Sequence, residues 1–466
     1  MNLFRRKLPE AEGAERLRRS LSAWDLTFMG IGQMIGAGIF VLTGVAAATQ
    51  AGPAIILSFL AAGIVCAFVA FAYAELAASV GGCGSSYGYA YALFGELIAW
   101  IVGWNLVLGM GVALAAVANG WSGYFNNALT GFGIVLPDVL TRGPYAGGFL
   151  NVPAMGIILL LMTALFTRVK QSAKLNMAIV TVKLAALFIF IAVASFHVRP
   201  ELWQPFMPYG WFSHTEDGRS VGVFAGAALV FFAYRGFQNV SVAAEEARRP
   251  QRDVPIGVIA SLTICTAIYL AVAGLLTAIA PYTELNIASP VGYALLRLGY
   301  SWGAGLVAVG VIVGLTSTML VLYYSLTRIL FAMARDRFLP HFFVSLNART
   351  QTPVNATILV GFVTASVAGL VPIGALAELV NAGTLAEFAL VCGGVIVLRL
   401  TRPDMARPFK APGGLVLPLL GIASSLALLG FLPPATLQRF ALWLAAGIVF
   451  YFLYAARRTG ALSATA

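Results

Sequence analysis

Between Met29 and Phe40, four glycines interrupt an apolar stretch long enough to cross a bilayer, in the order Met29-Gly30-Ile31-Gly32-Gln33-Met34-Ile35-Gly36-Ala37-Gly38-Ile39-Phe40. A helix of this composition is built to be broken. Hydrocarbon offers a freed N–H or C=O no partner, at a cost on the order of several kcal/mol per group. Irregular backbone at that depth persists only where it is enclosed by protein or lines a cavity, so a binding site is the first expectation.

The rest of the chain confirms the solvent. Of 466 residues, 60% are hydrophobic and only 10% charged, a balance that excludes a soluble globular domain of this size. Apolar runs of helix length occupy 24–48, 54–79, 87–121, 152–167, 175–196, 221–244, 255–280, 303–333, 354–371, 374–398, 415–431 and 438–454, here numbered helices 1 to 12. About 20 residues suffice to cross, so the expected fold is an all-α integral membrane protein with 12 transmembrane helices and the lipid bilayer as its surroundings.

Orientation follows from the 29 Lys and Arg. With connecting loops on alternate sides and the end-of-run Arg328 and Arg439 assigned to the nearer side, 22 fall with the termini and the even-numbered loops and five (Arg142, Arg199, Arg219, Arg297 and Arg439) on the opposite side, while Lys183 and Arg235 lie deeper within helices. That asymmetry predicts both termini in the cytoplasm of a cell bounded by this membrane. It also accounts for the +11 net charge; a nucleic-acid partner would need a basic domain, and none is present. The segment before helix 1, with Arg5-Arg6-Lys7 and Arg16-Leu17-Arg18-Arg19, is read as a cytoplasmic tail on the inner membrane surface (1–20) rather than a signal peptide, since it lacks a small-residue cleavage site.

Residue inventories narrow the chemistry. Cys66, Cys83, Cys265 and Cys392 are dispersed, and His197, His214 and His341 all lie in loops, so no disulfide framework, metal site or cofactor is expected. Ser/His/Asp and paired-metal arrangements are missing from the helices, which argues against an enzyme. The spacing Gly30-x-Gly32-x-x-x-Gly36 lacks the strand that a dinucleotide loop requires, and no P-loop occurs, so nucleotide use is not expected.

Helix 6 repeats the peculiarity of helix 1, with Phe231-Phe232-Ala233-Tyr234-Arg235-Gly236-Phe237 placing an arginine and a glycine at mid-run. Two broken helices five apart suggest two five-helix repeats. An odd number of helices reverses orientation, giving the inverted-repeat plan in which half-helix ends meet at a midplane site.

Several stretches resemble one known family. Gly36-Ala37-Gly38-Ile39-Phe40 is similar to the helix 1 motif of the amino acid, polyamine and organocation (APC) transporters. Gly103-Trp104-Asn105-Leu106, Phe231-Phe232-Ala233-Tyr234, Ala244-Glu245-Glu246 with Asp253-Val254-Pro255, Met333-Ala334-Arg335-Asp336, and Arg402-Pro403-Asp404 with Arg407-Pro408-Phe409 follow in family order over about 21–410. The set resembles bacterial relatives of the cationic amino acid transporter branch. The resemblance implies a LeuT-type fold of two five-helix inverted repeats (21–200 and 201–400) with discontinuous helices 1 and 6, and helices 11 and 12 (401–466) outside the repeats.

It also implies an amino acid substrate, whose carboxylate and ammonium must both be held out of water. The backbone N–H groups of Ala37, Gly38 and Ile39 open the second half of helix 1, where the helix dipole favours an anion, and are expected to bind the carboxylate. Carbonyls freed at Met34, Ile35, Phe232 and Arg235 are expected to take the ammonium, with Gly36 and Gly236 allowing close approach. Phe231, Phe232 and Tyr234 flank the helix 6 break and are candidates to cover the ligand. In proton-coupled relatives a helix 5 lysine occupies the place that sodium fills in sodium-coupled members. Lys183 matches it, and is expected to cycle between charged and neutral forms against carbonyls near Met34 and hydroxyls such as Ser317 of Thr316-Ser317-Thr318 in helix 8.

Three departures from the family pattern bear on this chain. Arg235 and Glu387 stand where relatives usually carry uncharged residues, and Gly109 stands where they commonly have a glutamate. A buried charge generally needs a partner, so Arg235 and Glu387 are expected to form an ion pair near the external vestibule; the rival reading has Arg235 recognising an anionic side chain. With the acid at 109 absent, a cationic substrate loses its counter-charge, and a neutral amino acid is expected first, an acidic one second. The charged segments Glu245-Glu246 with Arg248-Arg249 and Arg335-Asp336-Arg337, and Glu75 and Glu96, are expected to pair at the cytoplasmic surface.

The expectation is a secondary active transporter of the bacterial inner membrane, moving an amino acid by alternating access with a proton as co-substrate. An exchanger and a non-transporting sensor are the alternatives. The sequence carries no sign of which amino acid is moved, of oligomeric state, or of a small accessory subunit.

Overall fold

The computed structural model describes residues 20–80, 86–166, 173–216, 218–345 and 353–456. The expected basic tail up to residue 19, Cys83 and the side chain of Glu245 lie outside the described residues. Each of the twelve apolar runs is helical over most of its length. Among the described residues, seven helical segments are long and apolar enough to cross a membrane, and three shorter apolar helices, Val152–Leu165, Val354–Leu370 and Val416–Gly430, join them. The protein is therefore a multi-pass membrane protein, and a two-stranded hairpin (Ser213–His214 with Ser220–Val221) is its one small sheet among the described residues.

Helix 1 begins at Ala23 under a capping box, with Ser22 and Asp25 each satisfying the other's backbone N–H. It runs only to Met34. Ile35 is extended (ψ 100°), and the chain resumes a helical course from Gly38 as Gly38–Leu42, Thr43–Ala46 and Ala47–Ala51. Helix 6 breaks in the same manner: Val223–Val230 tightens into a 3-10 turn over Phe231–Tyr234, Arg235 is extended (ψ 121°), Gly236 takes φ +143°, and Asn239–Val242 follows.

The two breaks lie against each other, and glycine is what permits it. A Cβ on Gly38 would stand 2.4 Å from the Ala233 Cα, and one on Gly236 would stand 2.8 Å from the Gln33 carbonyl carbon, in a φ region that L side chains rarely adopt. The Tyr269 hydroxyl of helix 7 (Pro250–Ile279) lies within hydrogen-bonding reach of both Met34 O (2.7 Å) and Ala233 O (2.9 Å), so one side chain straps the two gaps together.

Backbone pairing defines two faces of the bundle. Leu21 N donates to Glu246 O and Arg248 N to Leu21 O, both at 2.9 Å, so the entry to helix 1 and the exit from helix 6 share one face, here the N-terminal face. On the far face Gly222 N donates to Gln50 O (2.8 Å), joining the end of helix 1 to the start of helix 6.

One run departs from expectation. The third, read as a continuous helix over 87–121, is two helices: Ser86–Leu93 and the 36-residue Glu96–Gly131. The turn between them uses Gly95 at φ +99°, and apolar composition on both sides hides it in the sequence. Helix 3 is the longer piece. At about 1.5 Å per residue it exceeds a hydrocarbon core of about 30 Å and projects beyond it.

Helices 10 (Ile373–Thr401), 11 (Val416–Gly430) and 12 (from Pro434) close one side. Glu75 on helix 2 (Ile55–Ser79) forms a paired contact with Arg399, Arg399 Nε to Glu75 Oε1 at 2.8 Å, and also accepts from Ala411 N. Helix 12 is fastened to helix 3 by the stacked Trp104 and Trp443 rings (4.5 Å), each indole N–H donating to the other residue's carbonyl. Glu96 accepts from the Tyr451 hydroxyl at 3.0 Å.

Candidate functional site

A cavity of about 390 Å³ lies beside the two breaks, within the range of about 300–1,000 Å³ usual for small-molecule sites. It extends toward the N-terminal face, where Met29, Gln33, Asn239, Val242 and Ala332 line it. Its inner end is the restart of helix 1, at Gly36, Ala37 and Gly38. The N–H groups of a first helical turn have no acceptor within their own helix, so this end of the cavity is suited to an anion. Beyond it the helices are packed: Tyr124 donates to Phe40 O (2.9 Å) and Trp121 to the Thr316 hydroxyl (3.0 Å), and none of these four residues lines the cavity.

The expected site residues separate into two groups. Met34, Gly36, Ala37, Gly38, Phe232, Arg235 and Glu387 line the cavity, whereas Ile35, Ile39, Phe231, Tyr234, Gly236, Lys183 and Ser317 do not. Tyr234, read as a cover for the ligand, instead donates its hydroxyl to Phe59 O on helix 2 at 2.8 Å, and Phe231 packs edge-on against Phe388. Three of the four carbonyls assigned to an ammonium already have partners, since Tyr269 reaches Met34 O, Lys183 reaches Ile35 O and Arg235 N donates to Phe232 O at 3.3 Å.

Lys183, on helix 5 (Ala173–Ser195), is buried to 2% exposure. Its ammonium donates to Gly32 O (2.8 Å), Ile35 O (3.0 Å) and the Thr318 hydroxyl (2.9 Å). Three N–H donors meet three acceptors, the condition under which a charge can be kept away from water. The hydroxyl partner is Thr318 rather than Ser317, one residue and about 100° further round helix 8 (Ser301–Arg335). Gly314 makes room for the lysine stem: a Cβ there would stand 2.6 Å from Lys183 Cε. Thr318 lines the cavity and so stands between Lys183 and its contents.

A family model described as amino acid permease matches residues 21–454. The chain belongs to the amino acid permease family. It is 44% identical over 465 residues to the methylthioribose transporter of Bacillus subtilis (strain 168), covering 98% of this chain and 99% of that one. It is 43% identical over 468 residues to the branched-chain amino acid permease BcaP of the same organism, covering 98% of both. Identity to the vacuolar cationic amino acid transporter 4 of Arabidopsis thaliana is 36% over 414 residues, 86% of this chain and 68% of the relative. Members of this family are transporters, so the chain is a permease and not an enzyme.

The expected ion pair is not formed in this permease. Arg235 donates from Nη1 to the Gly109 carbonyl on helix 3. Glu387 accepts on Oε1 from the Tyr73 hydroxyl (2.9 Å) and from the Ser86 hydroxyl. The two lie toward the N-terminal face: Tyr73 is near the end of helix 2 and Ser86 opens the short helix that follows. Each charge found a neutral partner on its own wall. Gly109 has no Cβ to oppose this, since one there would stand 3.0 Å from Arg235 Nη2.

Tyr73, Ser86 and Tyr269 are residues that sequence reasoning missed, and Thr318 enters it only within the run Thr316-Ser317-Thr318, with Ser317 put first. Ser86 and Tyr73 are 301 and 314 positions from Glu387, and nothing local marks them. Thr318 carried a signal in hindsight, with Gly314 one turn before it leaving space for a long side chain. At the N-terminal face, Asp336 accepts from the Tyr87 hydroxyl (2.7 Å) and Arg248 donates to Ser20 O (3.0 Å), contacts more specific than the general surface pairing expected there.

Proposed function

We propose that this permease is a secondary active transporter that carries a neutral amino acid across a bacterial plasma membrane by alternating access, with a proton as the coupled ion. The observation that carries the reading is the cavity whose inner end is the first turn of the restarted helix 1, with a saturated, buried lysine one hydroxyl away.

The N–H groups at Ala37, Gly38 and Ile39 take the substrate carboxylate, and the ammonium is left chiefly the Arg235 carbonyl at the helix 6 break, Phe232 O being shared with Arg235 N. Lys183 carries the coupled proton: as an ammonium it holds Gly32, Ile35 and Thr318 together, and as an amine it has fewer donors and releases helix 1 from helices 5 and 8. The architecture that goes with this is twelve crossings, with inverted repeats over 21–200 and 201–400, helices 11 and 12 outside them, and both termini cytoplasmic. The N-terminal face is then the cytoplasmic one, and the cavity is the inward-facing half of the cycle.

An uncharged substrate is supported from two directions. Much of the cavity wall is apolar, including Met34, Leu106, Met110, Val117 and Val321. The substrates named for the two Bacillus relatives, a branched-chain amino acid and methylthioribose, carry no charged side chain. An acidic amino acid is the second choice, through Arg235.

The test is uptake of labelled leucine, valine, methylthioribose, glutamate and lysine into proteoliposomes that start empty, with the outside acidified. Accumulation of an uncharged member that collapses with a protonophore is the expected result. Flux that appears only after preloading would make the protein an exchanger, and binding without flux would make it a sensor.

A further inference from the structure

Arg235 and Glu387 are opposite charges on one cavity that attract each other across it without a direct hydrogen bond or close ion pair. Glu387, on helix 10, has Oε1 occupied by two hydroxyls, Tyr73 from helix 2 and Ser86 from the short helix after it. Oε2 takes neither. Arg235, at the helix 6 break, has Nη1 on the Gly109 carbonyl, which accounts for one of the five N–H donors of a guanidinium. Both residues line the cavity. A carboxylate and a guanidinium free to meet prefer the bidentate contact. Here hydroxyls from two elements hold the carboxylate to one wall and helix 3 backbone holds the guanidinium to another. What remains is an acceptor and a set of donors presented to the same space.

We infer that Arg235 and Glu387 form a subsite for an uncharged group that both accepts and donates hydrogen bonds, a hydroxyl or a carboxamide, on the part of the substrate remote from the helix 1 N–H groups. This rests on the reading of the cavity as the substrate cavity, and refines it to polar neutral substrates. A group with an oxygen acceptor and an O–H or N–H donor satisfies both charges at once: its oxygen takes Arg235, and its proton goes to Glu387 Oε2. An anionic side chain gains from Arg235 but is repelled by Glu387, and a cationic one meets the reverse, so the pair disfavours either full charge. A purely apolar side chain pairs neither with Glu387 Oε2 nor with the remaining Arg235 donors, and a buried polar site discriminates against a ligand that cannot pair with it.

The subsite is tested with near-isosteric amino acids on the purified full-length chain, reading ligand-induced thermal stabilisation to obtain apparent affinities without depending on transport. Threonine is compared with valine, asparagine with leucine, and glutamine with glutamate. The expected result is that threonine or asparagine binds about tenfold or more tightly than its apolar partner, and glutamine more tightly than glutamate. Preference for threonine identifies the hydroxyl and preference for asparagine the carboxamide. In Glu387→Leu and Arg235→Leu the advantage collapses to about twofold or less, whereas Glu387→Gln, which keeps an acceptor and the side-chain volume, retains part of it. Equal affinities within the pairs, with leucine or valine still bound, would overturn the subsite and leave the proposed transport function intact. Tighter binding of glutamate than glutamine would also overturn it, in favour of an anion site at Arg235. Failure of every amino acid to bind or be transported would remove the proposed function itself.

Discussion

Lys183 on helix 5 and Arg235 at the helix 6 break are both cations beside the breaks of this permease, and their surroundings are opposite. Lys183 has three donors and three acceptors, is 2% exposed and does not line the cavity. Arg235 has five donors, one carbonyl partner on helix 3, and a place on the cavity wall. A closed cation has nothing to offer a ligand unless it first breaks its own bonds, so what it can change is the packing of the elements it joins. An open cation has donors to spare, and gains by meeting a ligand. Intramembrane charge is a pointer to function, and on the proposed reading saturation is what separates the coupling group from the recognition group.

The largest expected effect comes from emptying the closed site. Lys183→Ala leaves Gly32 O, Ile35 O and the Thr318 hydroxyl without their donor, at about 1–3 kcal/mol for each buried orphan, offset in part because an ammonium is no longer buried. Gradient-driven accumulation is expected to vanish, while exchange of preloaded substrate persists because no cavity contact has been removed. Uptake by this variant that still follows an imposed pH gradient would show that the closed cation is structural only.

A smaller effect follows from opening one side of the cage. Thr318→Val keeps the shape of the side chain and removes one of the three acceptors. A hydrogen bond to a charged group contributes about 1.5–3 kcal/mol, so accumulation should fall by roughly tenfold or more, with a lowered melting temperature. Ser317→Ala is the control. Ser317 is neither a partner of Lys183 nor on the cavity wall, and uptake should stay within about twofold of the parent. If Ser317→Ala is the more damaging of the two, the cage is wrongly drawn.

The same contrast explains what could be read from the sequence. The breaks in helices 1 and 6 were legible because close approach of two backbones demands glycine, and Gly38 and Gly236 have no substitute. The apolar runs were legible because membrane thickness dictates their length. Lys183 stood out through the cost of its charge, yet its hydroxyl partner did not, because Thr316, Ser317 and Thr318 are consecutive and only the rotation of helix 8 chooses among them. Opposite signs suggested an Arg235–Glu387 pair. The structure instead uses a backbone carbonyl and two distant hydroxyls, partners that charge counting cannot see. The turn at Gly95 was invisible for a simpler reason, since apolar composition continues through it.

The smallest effect is expected at Gly109, and it bears most directly on the open site. A Cβ there would stand 3.0 Å from Arg235 Nη2, a contact tighter than ordinary but made with the end of a flexible side chain, which can give by a few tenths of an ångström. Gly109→Ala should therefore leave thermal stability within about 0.5 kcal/mol, in line with substitutions that neither open a cavity nor strand a buried group. Alanine keeps the carbonyl that holds Nη1, so the arginine stays in place but its remaining donors are turned relative to Glu387. Affinity for leucine or valine should hold within about twofold, while any advantage of threonine or asparagine over them shrinks. The closed site predicts the reverse pattern for the equivalent change at Gly314, where a Cβ would meet the lysine stem at 2.6 Å from Cε and displace an ammonium with no slack: coupling should suffer and preference among substrates should not. Comparing the two glycine-to-alanine variants, by accumulation ratio on one axis and by relative affinity on the other, separates the two cations without touching either.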